Sequence, residues 1–132
     1  MPSQKEKLVA VIAHRIADMN GFYRPTQVRK YHNPGALSCW GKLPVIEDLA
    51  VFPNERKGWD ALKRIIDLQV QRRVTFLQLF AGDGKSYAGY PPAKENPQAW
   101  AEWVASPFRV PVDTIIQSVV DGKPVQSAEV TQ

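Results

Sequence analysis

The stretch that decides the fold runs from Asn20-Gly21-Phe22-Tyr23 to His32-Asn33-Pro34-Gly35. It joins the end of an apolar-periodic segment to a loop that proline and glycine restrict. Asn and Gly both tolerate the left-handed backbone that ends a helix, so the junction predicts a helix terminus. A constrained loop rich in hydrogen-bonding groups commonly carries function, and the sequence therefore predicts a site here.

A helix before this junction is predicted from about Gln4 to Met19. Ser3 and Glu6 match the capping box, in which a hydroxyl and a carboxylate each accept a hydrogen bond from a free backbone N–H. Apolar residues then recur at helical spacing: Leu8, Val9, Ile12, Ile16 and Met19. His14 lies off this stripe and is expected at the surface.

The following residues, 21 to 53, hold no long periodic segment. Repeated proline and glycine interrupt them, which predicts a long structured loop. Leu49 to Phe52 is a candidate strand, paired with Leu43 to Ile46 in a small hairpin.

Four further helices are predicted after the loop. Their expected boundaries are Asn54 to about Gln71, Thr75 to Gly82, a helix opening at Asn96-Pro97, and Pro111–Asp113 to Gly122. Trp59, Trp100 and Trp103 stand at helical spacing beside aliphatic residues and are expected in the core. The sequence predicts a mainly α single domain over residues 1–122, with about five helices and a flexible tail over 123–132.

Composition limits the class of protein. The 132 residues, 44% of them hydrophobic, are enough for one domain with one core. No apolar run approaches the ~20 residues of a membrane span, and the N-terminus lacks the order of a secretory signal. The net charge of +4 favours anionic partners or simply aids solubility. Nucleic acid is the weaker expectation, because the basic residues are spread out and no nucleic-acid motif is present.

Most familiar catalytic arrangements are missing from the sequence. His14 and His32 have no Cys or Glu partners at metal-ligand spacing, so neither a metal nor a cofactor is expected. Gly82 to Ser86 resembles a phosphate loop superficially but lacks the required glycine spacing and follows a helix. The lone Cys39 excludes an internal disulfide, and a nucleophile formed by Cys39 with His32 has little support.

Several short motifs, in a constant order, resemble a family of phage and bacterial lysozyme-like domains. This family includes phage structural or virion proteins related to peptidoglycan transglycosylases. The resemblance covers about residues 8 to 120. The matching pieces are Asn20-Gly21-Phe22, Asn33-Pro34-Gly35, Ala50-Val51-Phe52-Pro53, Gly58-Trp59-Asp60-Ala61-Leu62, Tyr87-Ala88-Gly89, Trp100 to Ala105 and Val110 to Thr114.

The resemblance implies a lysozyme-like α+β fold whose groove holds a peptidoglycan glycan strand. In such enzymes a glutamate at the end of the first long helix is the general acid. An apolar setting raises its pKa, so that it keeps its proton near neutral pH. Here the corresponding residue is Asn20, and an amide cannot donate a proton in this way, although it can still hydrogen-bond a sugar.

Three explanations for Asn20 are open at this point. Asn20 is an engineered change, or the protein is a natural sugar-binding relative that lost the acid, or another carboxylate has taken over. The replacement candidates are Glu47 and Asp48 in the loop, together with Asp18 and Glu95. Each of these alone is more often a solvated surface acid.

Other loop residues are candidates for substrate binding. Asn33 and Gly35 would orient sugar contacts, and Phe22, Tyr23 and Trp40 would stack on pyranose rings. Tyr87 and Tyr90 would form the opposite wall of the groove, and His32 in the first loop is a further candidate for substrate binding. A structural turn is the alternative for Asn33-Pro34-Gly35, and packing as loop aromatics is the alternative for Tyr87 and Tyr90.

The leading hypothesis is therefore a domain that binds peptidoglycan glycan strands and cleaves them, as a lysozyme or a lytic transglycosylase, unless Asn20 makes it inactive. The alternative is a non-catalytic phage structural or glycan-binding module. The expected partners are glycan strands and components of a virion or a secretion system. We expect synthesis in the cytoplasm without a signal peptide, followed by delivery in a virion or to the periplasm and cell wall.

Overall fold

The fold is mainly helical, as predicted, with one small hairpin. The computed structural model describes residues 2–127. Its elements are α1 (Gln4–Met19), α2 (Gln27–Lys30), β1 (Val45–Ile46), β2 (Leu49–Ala50), α3 (Glu55–Gln71), α4 (Phe76–Ala81), α5 (Pro97–Ala105) and α6 (Ile116–Val120). Two 3-10 turns, Pro91–Ala93 and Ser106–Phe108, flank α5. Within residues 2–127, no helix combines the length and apolar character needed to cross a bilayer.

Helix α1 has the predicted boundaries. The Ser3 hydroxyl accepts from the Glu6 N–H and the Glu6 carboxylate accepts from the Ser3 N–H, so the capping box is present. The apolar face of α1 packs against α3 and α5. Its residues join the central core with the buried faces of the other long helices. This packing positions α1, and the left-handed Gly21, with a φ of 80°, ends it beside Asn20.

The predicted hairpin is confirmed but is shorter than expected. Val45 pairs with Ala50 and Ile46 with Leu49 in antiparallel register. The connecting residues Glu47 and Asp48 have φ values of 53° and 64°. Positive φ at both central residues is the geometry of the tight turns that match the twist of a two-residue hairpin. The long loop also contains α2, a one-turn helix that the sequence reading did not predict.

The next two helices begin at their predicted caps. The Asn54 side chain accepts from the Lys57 N–H at 3.0 Å at the start of α3. Thr75 and Gln78 form a second capping box at the start of α4. Helix α4 then packs closely on α5.

The C-terminal region differs from the prediction. The last helix begins at Ile116 rather than at Pro111–Asp113, because the preceding residues pair with the chain after the helix. The Ile115 N–H donates to the Val125 carbonyl at 2.8 Å, and the Ser127 N–H donates to the Asp113 carbonyl at 2.9 Å. The predicted tail over 123–132 therefore includes residues that pair with the chain before α6, and its residues 128–132 lie outside the described residues.

The three tryptophans predicted for the core have different environments. Trp100 is buried and Trp59 is half-buried, and both pack against the core. Trp103 is 39% exposed, so its placement in the core is wrong. Its ring lies 4.0 Å from the Arg15 guanidinium carbon and its indole N–H donates to the Arg15 carbonyl. Helical spacing could not distinguish this outer position from the core.

Gly58 allows α3 to approach the loop closely. A Cβ at this position would lie 1.9 Å from the His32 carbonyl oxygen and 2.9 Å from the Pro34 ring. Glycine inside a helix usually costs stability relative to alanine. Here the missing side chain lets the first turn of α3 lie directly against the loop that leads to Asn33-Pro34.

We predict that Gly58→Ala destabilises the protein by about 3 kcal/mol, because backbone atoms must move apart to admit the methyl group. Chemical denaturation would measure the change in the free energy of unfolding. Gly84→Ala is the control, since nothing lies within 4 Å of its added Cβ and only its φ of +73° is unfavourable. Equal losses in the two variants would contradict the close-approach explanation.

Candidate functional site

The site predicted at the end of α1 is built around Asn20. This half-buried residue follows the last helical residue, Met19. Its amide nitrogen Nδ2 donates to the Pro34 carbonyl at 3.0 Å and contacts the Tyr90 hydroxyl at 3.3 Å. The Asn20 side chain thus bridges the helix end, the first loop and the segment before α5.

Tyr90 completes this bridge from the opposite side. Its hydroxyl donates to the Gly35 carbonyl, and its ring packs against Phe80 and Trp100. Burial raises the pKa of Tyr90 far above its usual value. The phenol therefore stays protonated and keeps donating to the loop. We call Asn20, Tyr90 and the carbonyls of Pro34 and Gly35 the amide node.

Asn33 has a structural role instead of the predicted sugar contact. Its side chain is fully buried. Nδ2 donates to the carbonyls of Leu37 at 2.9 Å and Ala50 at 3.0 Å, and Oδ1 accepts from the Leu37 N–H at 2.9 Å. These bonds tie the loop to the hairpin. Gly35 is buried as well, against Leu62 and Leu37, while the neighbouring His32 is half-buried.

The predicted stacking residues of the first loop separate into core and surface. Phe22 is fully buried and cannot present its ring to a sugar in this conformation. Tyr23 is 52% exposed, and its hydroxyl hydrogen-bonds Nδ1 of His14, which is exposed as expected. Burial, together with the charge of Lys63, lowers the pKa of His14. The neutral imidazole can therefore accept this hydrogen bond.

In the second loop, Tyr87 is also a structural residue. Its hydroxyl donates to the Leu79 carbonyl at 2.7 Å. Asp83 organises the same loop by accepting from the N–H groups of Lys85 and Tyr87. Burial first, then the Asp83 charge, raises the pKa of Tyr87 to about 12. Tyr87 and Tyr90 thus pack as loop aromatics, which was the structural alternative for both.

The replacement acids do not resemble general acids in their surroundings. Glu47 and Asp48 form the exposed hairpin turn, and Asp18 and Glu95 are exposed as well. A general acid needs an apolar setting to hold its proton near neutral pH, and these exposed side chains lack one. Among residues 2–127, none of their carboxylates hydrogen-bonds the amide node.

The backbone carbonyls of the amide node act as hydrogen-bond acceptors. The carbonyls of Pro34 and Gly35 face the side chains of Asn20 and Tyr90, both of which donate. A carboxyl group at position 20 would face the Pro34 oxygen and be disfavoured when ionised. The surroundings would therefore raise its pKa, which is what a general acid requires.

Trp40 is a predicted binding residue that lines a sizeable cavity. This Trp40 cavity, of about 440 Å³, lies between the segment Trp40–Leu43, Phe52 and the outer face of α3. Its wall combines the half-buried Trp40 and Leu43 with the charged side chains of Lys57 and Arg64. An aromatic surface beside hydrogen-bonding groups is typical of a ligand pocket.

A second cavity, of about 600 Å³, lies between α1 and the same face of α3. The two cavities share Asp60 and Arg64, and we call them together the α3 trough. Its basic residues come from three parts of the chain: Lys5, Lys7, Lys42, Lys57, Lys63 and Arg64. The acids Glu6, Asp60 and Asp67 also line it, which leaves a net charge of +3.

Sequence reasoning missed this trough, because its cations are scattered along the chain. A signal was present in α3, where Lys57, Asp60, Arg64 and Asp67 recur at spacings of three and four and so share one helix face.

Metal binding is a separate question. Residues 2–127 contain no group of three or more His, Cys, Asp or Glu side chains placed to hold a metal ion.

Comparison with known proteins gives no relative: no protein-family model, curated protein or solved structure matches this chain. The lysozyme-like family stays a prediction from the sequence motifs.

We predict that Asn20→Asp lowers the free energy of unfolding by ~2 kcal/mol at pH 7, because an acceptor replaces the donor that faces Pro34. The folded state raises the pKa of the new carboxyl above its unfolded value of ~3.9. Stability is therefore retained below that pH and lost as pH rises through the folded pKa. Urea denaturation between pH 4 and 8 would measure this. The free energies of unfolding of Asn20→Asp and of the parent should converge as the pH falls toward 4.

Asn54→Asp is the matched control. The Asn54 side chain acts as an acceptor at the start of α3, where a carboxylate accepts equally well and interacts favourably with the helix dipole. This variant should be as stable as the parent at pH 7, or more so. If Asn20→Asp loses the same free energy of unfolding at every pH, the Pro34 carbonyl does not raise the pKa of the new carboxyl.

Proposed function

We propose that this protein is a lysozyme-like domain that binds peptidoglycan glycan strands without cleaving them. The observation that carries the proposal is the position of Asn20 in the amide node. The residue at the family's general-acid position is an amide held by the loop, and the exposed carboxylates elsewhere offer no substitute.

Support for a retained glycan-binding scaffold comes from the surroundings of Asn20. The Pro34 carbonyl faces the side chain of position 20, and the neighbouring Gly35 carbonyl accepts from Tyr90. The same loop, anchored by Asn33, holds the hairpin beside the Trp40 cavity through the Ala50 carbonyl. A glycan-binding domain whose acid is replaced by an amide would account for both features.

Trp40 is the residue proposed to contact sugar. Its ring is accessible from the Trp40 cavity, and aromatic faces pack well against the apolar side of a pyranose. Lys57 and Arg64 on the same wall can donate hydrogen bonds to hydroxyl and N-acetyl oxygens. Delivery to the cell wall by a phage particle or a secretion apparatus belongs to the same proposal.

We predict that Asn20→Glu gains lytic activity on cell-wall suspensions, whereas the parent protein has none above background. The new carboxyl would face the Pro34 carbonyl and hold its proton. Clearing of a suspension, followed by turbidity, is the measurement. Asn20→Gln is the control, because it has the same length but cannot supply a proton; lysis by the parent or by this control would contradict the assignment of position 20.

We predict that chitotetraose binds the parent protein and quenches its tryptophan fluorescence. Trp40→Ala should weaken that binding about tenfold, since a lost stacking contact costs about 1.4 kcal/mol. Trp103→Ala is the control, because it also removes a partly exposed tryptophan but from the face near Arg15. Absence of binding in the parent would favour the alternative, a purely structural module.

A further inference from the structure

The α3 trough extends well beyond the space that a sugar at Trp40 would fill. It continues from the Trp40 cavity, through the shared residues Asp60 and Arg64, into the larger cavity between α1 and α3. The helix face from Lys57 to Asp67 is about 15 Å long at 1.5 Å per residue. An extended peptide of four residues spans ~13 Å, so the trough has room for one.

The charges along this face alternate in sign. Lys57 is followed by Asp60, Arg64 and Asp67 at helical spacing, and Lys7 and Lys63 add positive charge to the cavity beside α1. A ligand that carries carboxylate and ammonium groups together complements such a pattern. A phosphodiester backbone fits it less well, since its uniform negative charge would lie against Asp60 and Asp67.

Several of these cations are also available to a ligand. The ion pairs found within residues 2–127 join Lys5 to Asp67 at 2.9 Å, Arg29 to Glu55 at 3.9 Å and Arg56 to Asp60 at 3.9 Å. None of them engages Lys7, Lys57, Lys63 or Arg64 within 4.0 Å. Pairing within the helix therefore does not explain why these side chains are placed there.

We propose that the α3 trough binds the charged peptide part of a glycan strand whose sugars lie against Trp40. This inference rests on the proposed function and adds a specificity to it. The domain then recognises peptide-bearing glycan in preference to bare glycan. Lys7 and Lys63 contact peptide carboxylates. Asp60 contacts a peptide ammonium group in place of its exposed 3.9 Å pair with Arg56.

Isothermal titration of the full chain with two probes tests this. The first is chitotetraose, which is neutral; the second is a disaccharide tetrapeptide whose third residue is a diamino acid with a free ammonium group. We expect the disaccharide tetrapeptide to bind about tenfold tighter, a difference that two or three partly exposed ion pairs can supply.

The double variant Lys7→Glu/Lys63→Glu changes only the cavity beside α1 and leaves the Trp40 cavity intact. It should lose the tenfold preference while its chitotetraose affinity stays unchanged. Lys94→Glu/Lys123→Glu is the control, because it makes the same change in net charge at exposed positions elsewhere. This control should keep the preference.

The outcomes separate the two proposals. Equal affinity of the parent for both probes would overturn the peptide inference and leave glycan binding standing. Binding of neither probe would overturn both. A short oligothymidylate that binds tighter than the disaccharide tetrapeptide, weakens steeply with salt and is lost in Lys7→Glu/Lys63→Glu would identify a nucleic-acid surface instead. That result would also overturn the inference.

Discussion

The hydrogen bond from the Asn20 amide to the Pro34 carbonyl is the contact on which the site depends. It connects the end of α1 to the first loop, and Tyr90 connects the same loop to the segment before α5. Helix ends leave backbone groups without partners, and loops need side chains to hold them in place. In the amide node, the Asn20 amide donates to the Pro34 carbonyl and to the Tyr90 hydroxyl, which itself donates to the Gly35 carbonyl. The chemistry available at position 20 is therefore set by the acceptors around it.

The close packing around this loop explains why its sequence is so restricted. Asn33 satisfies its whole amide with backbone partners, and Gly58 leaves space for the His32 carbonyl. His32 and Ala36 have positive φ values of 53° and 50°, which non-glycine residues adopt at some cost. The loop is therefore joined to the hairpin by hydrogen bonds and lies directly against α3. The α3 trough lies on the outer face of that helix.

Much of the helical framework could be predicted from the sequence, because caps and apolar spacing are local signals. Ser3, Asn54 and Thr75 start their helices as expected. The predicted start of the last helix was wrong, because Asp113 and Ile115 before α6 pair with Ser127 and Val125 after it. The site residues were harder to predict. Asn33, Phe22 and Tyr90 are polar or aromatic residues in loops, and only the fold shows that they point inward. The trough was missed because its charges converge from separate segments.

The Asn20–Gly21 pair also affects how long the protein lasts chemically. Glycine is the least hindered neighbour for attack of its backbone nitrogen on an asparagine side-chain carbonyl. The attack releases ammonia and forms a succinimide, which water then opens to aspartate or isoaspartate. In the folded chain the Gly21 N–H donates to the Asp18 carbonyl at 3.0 Å, and the Asn20 amide is held at Pro34. Both contacts oppose the attack. Each unfolding event releases them, so the ageing of this amide follows the time that the chain spends unfolded.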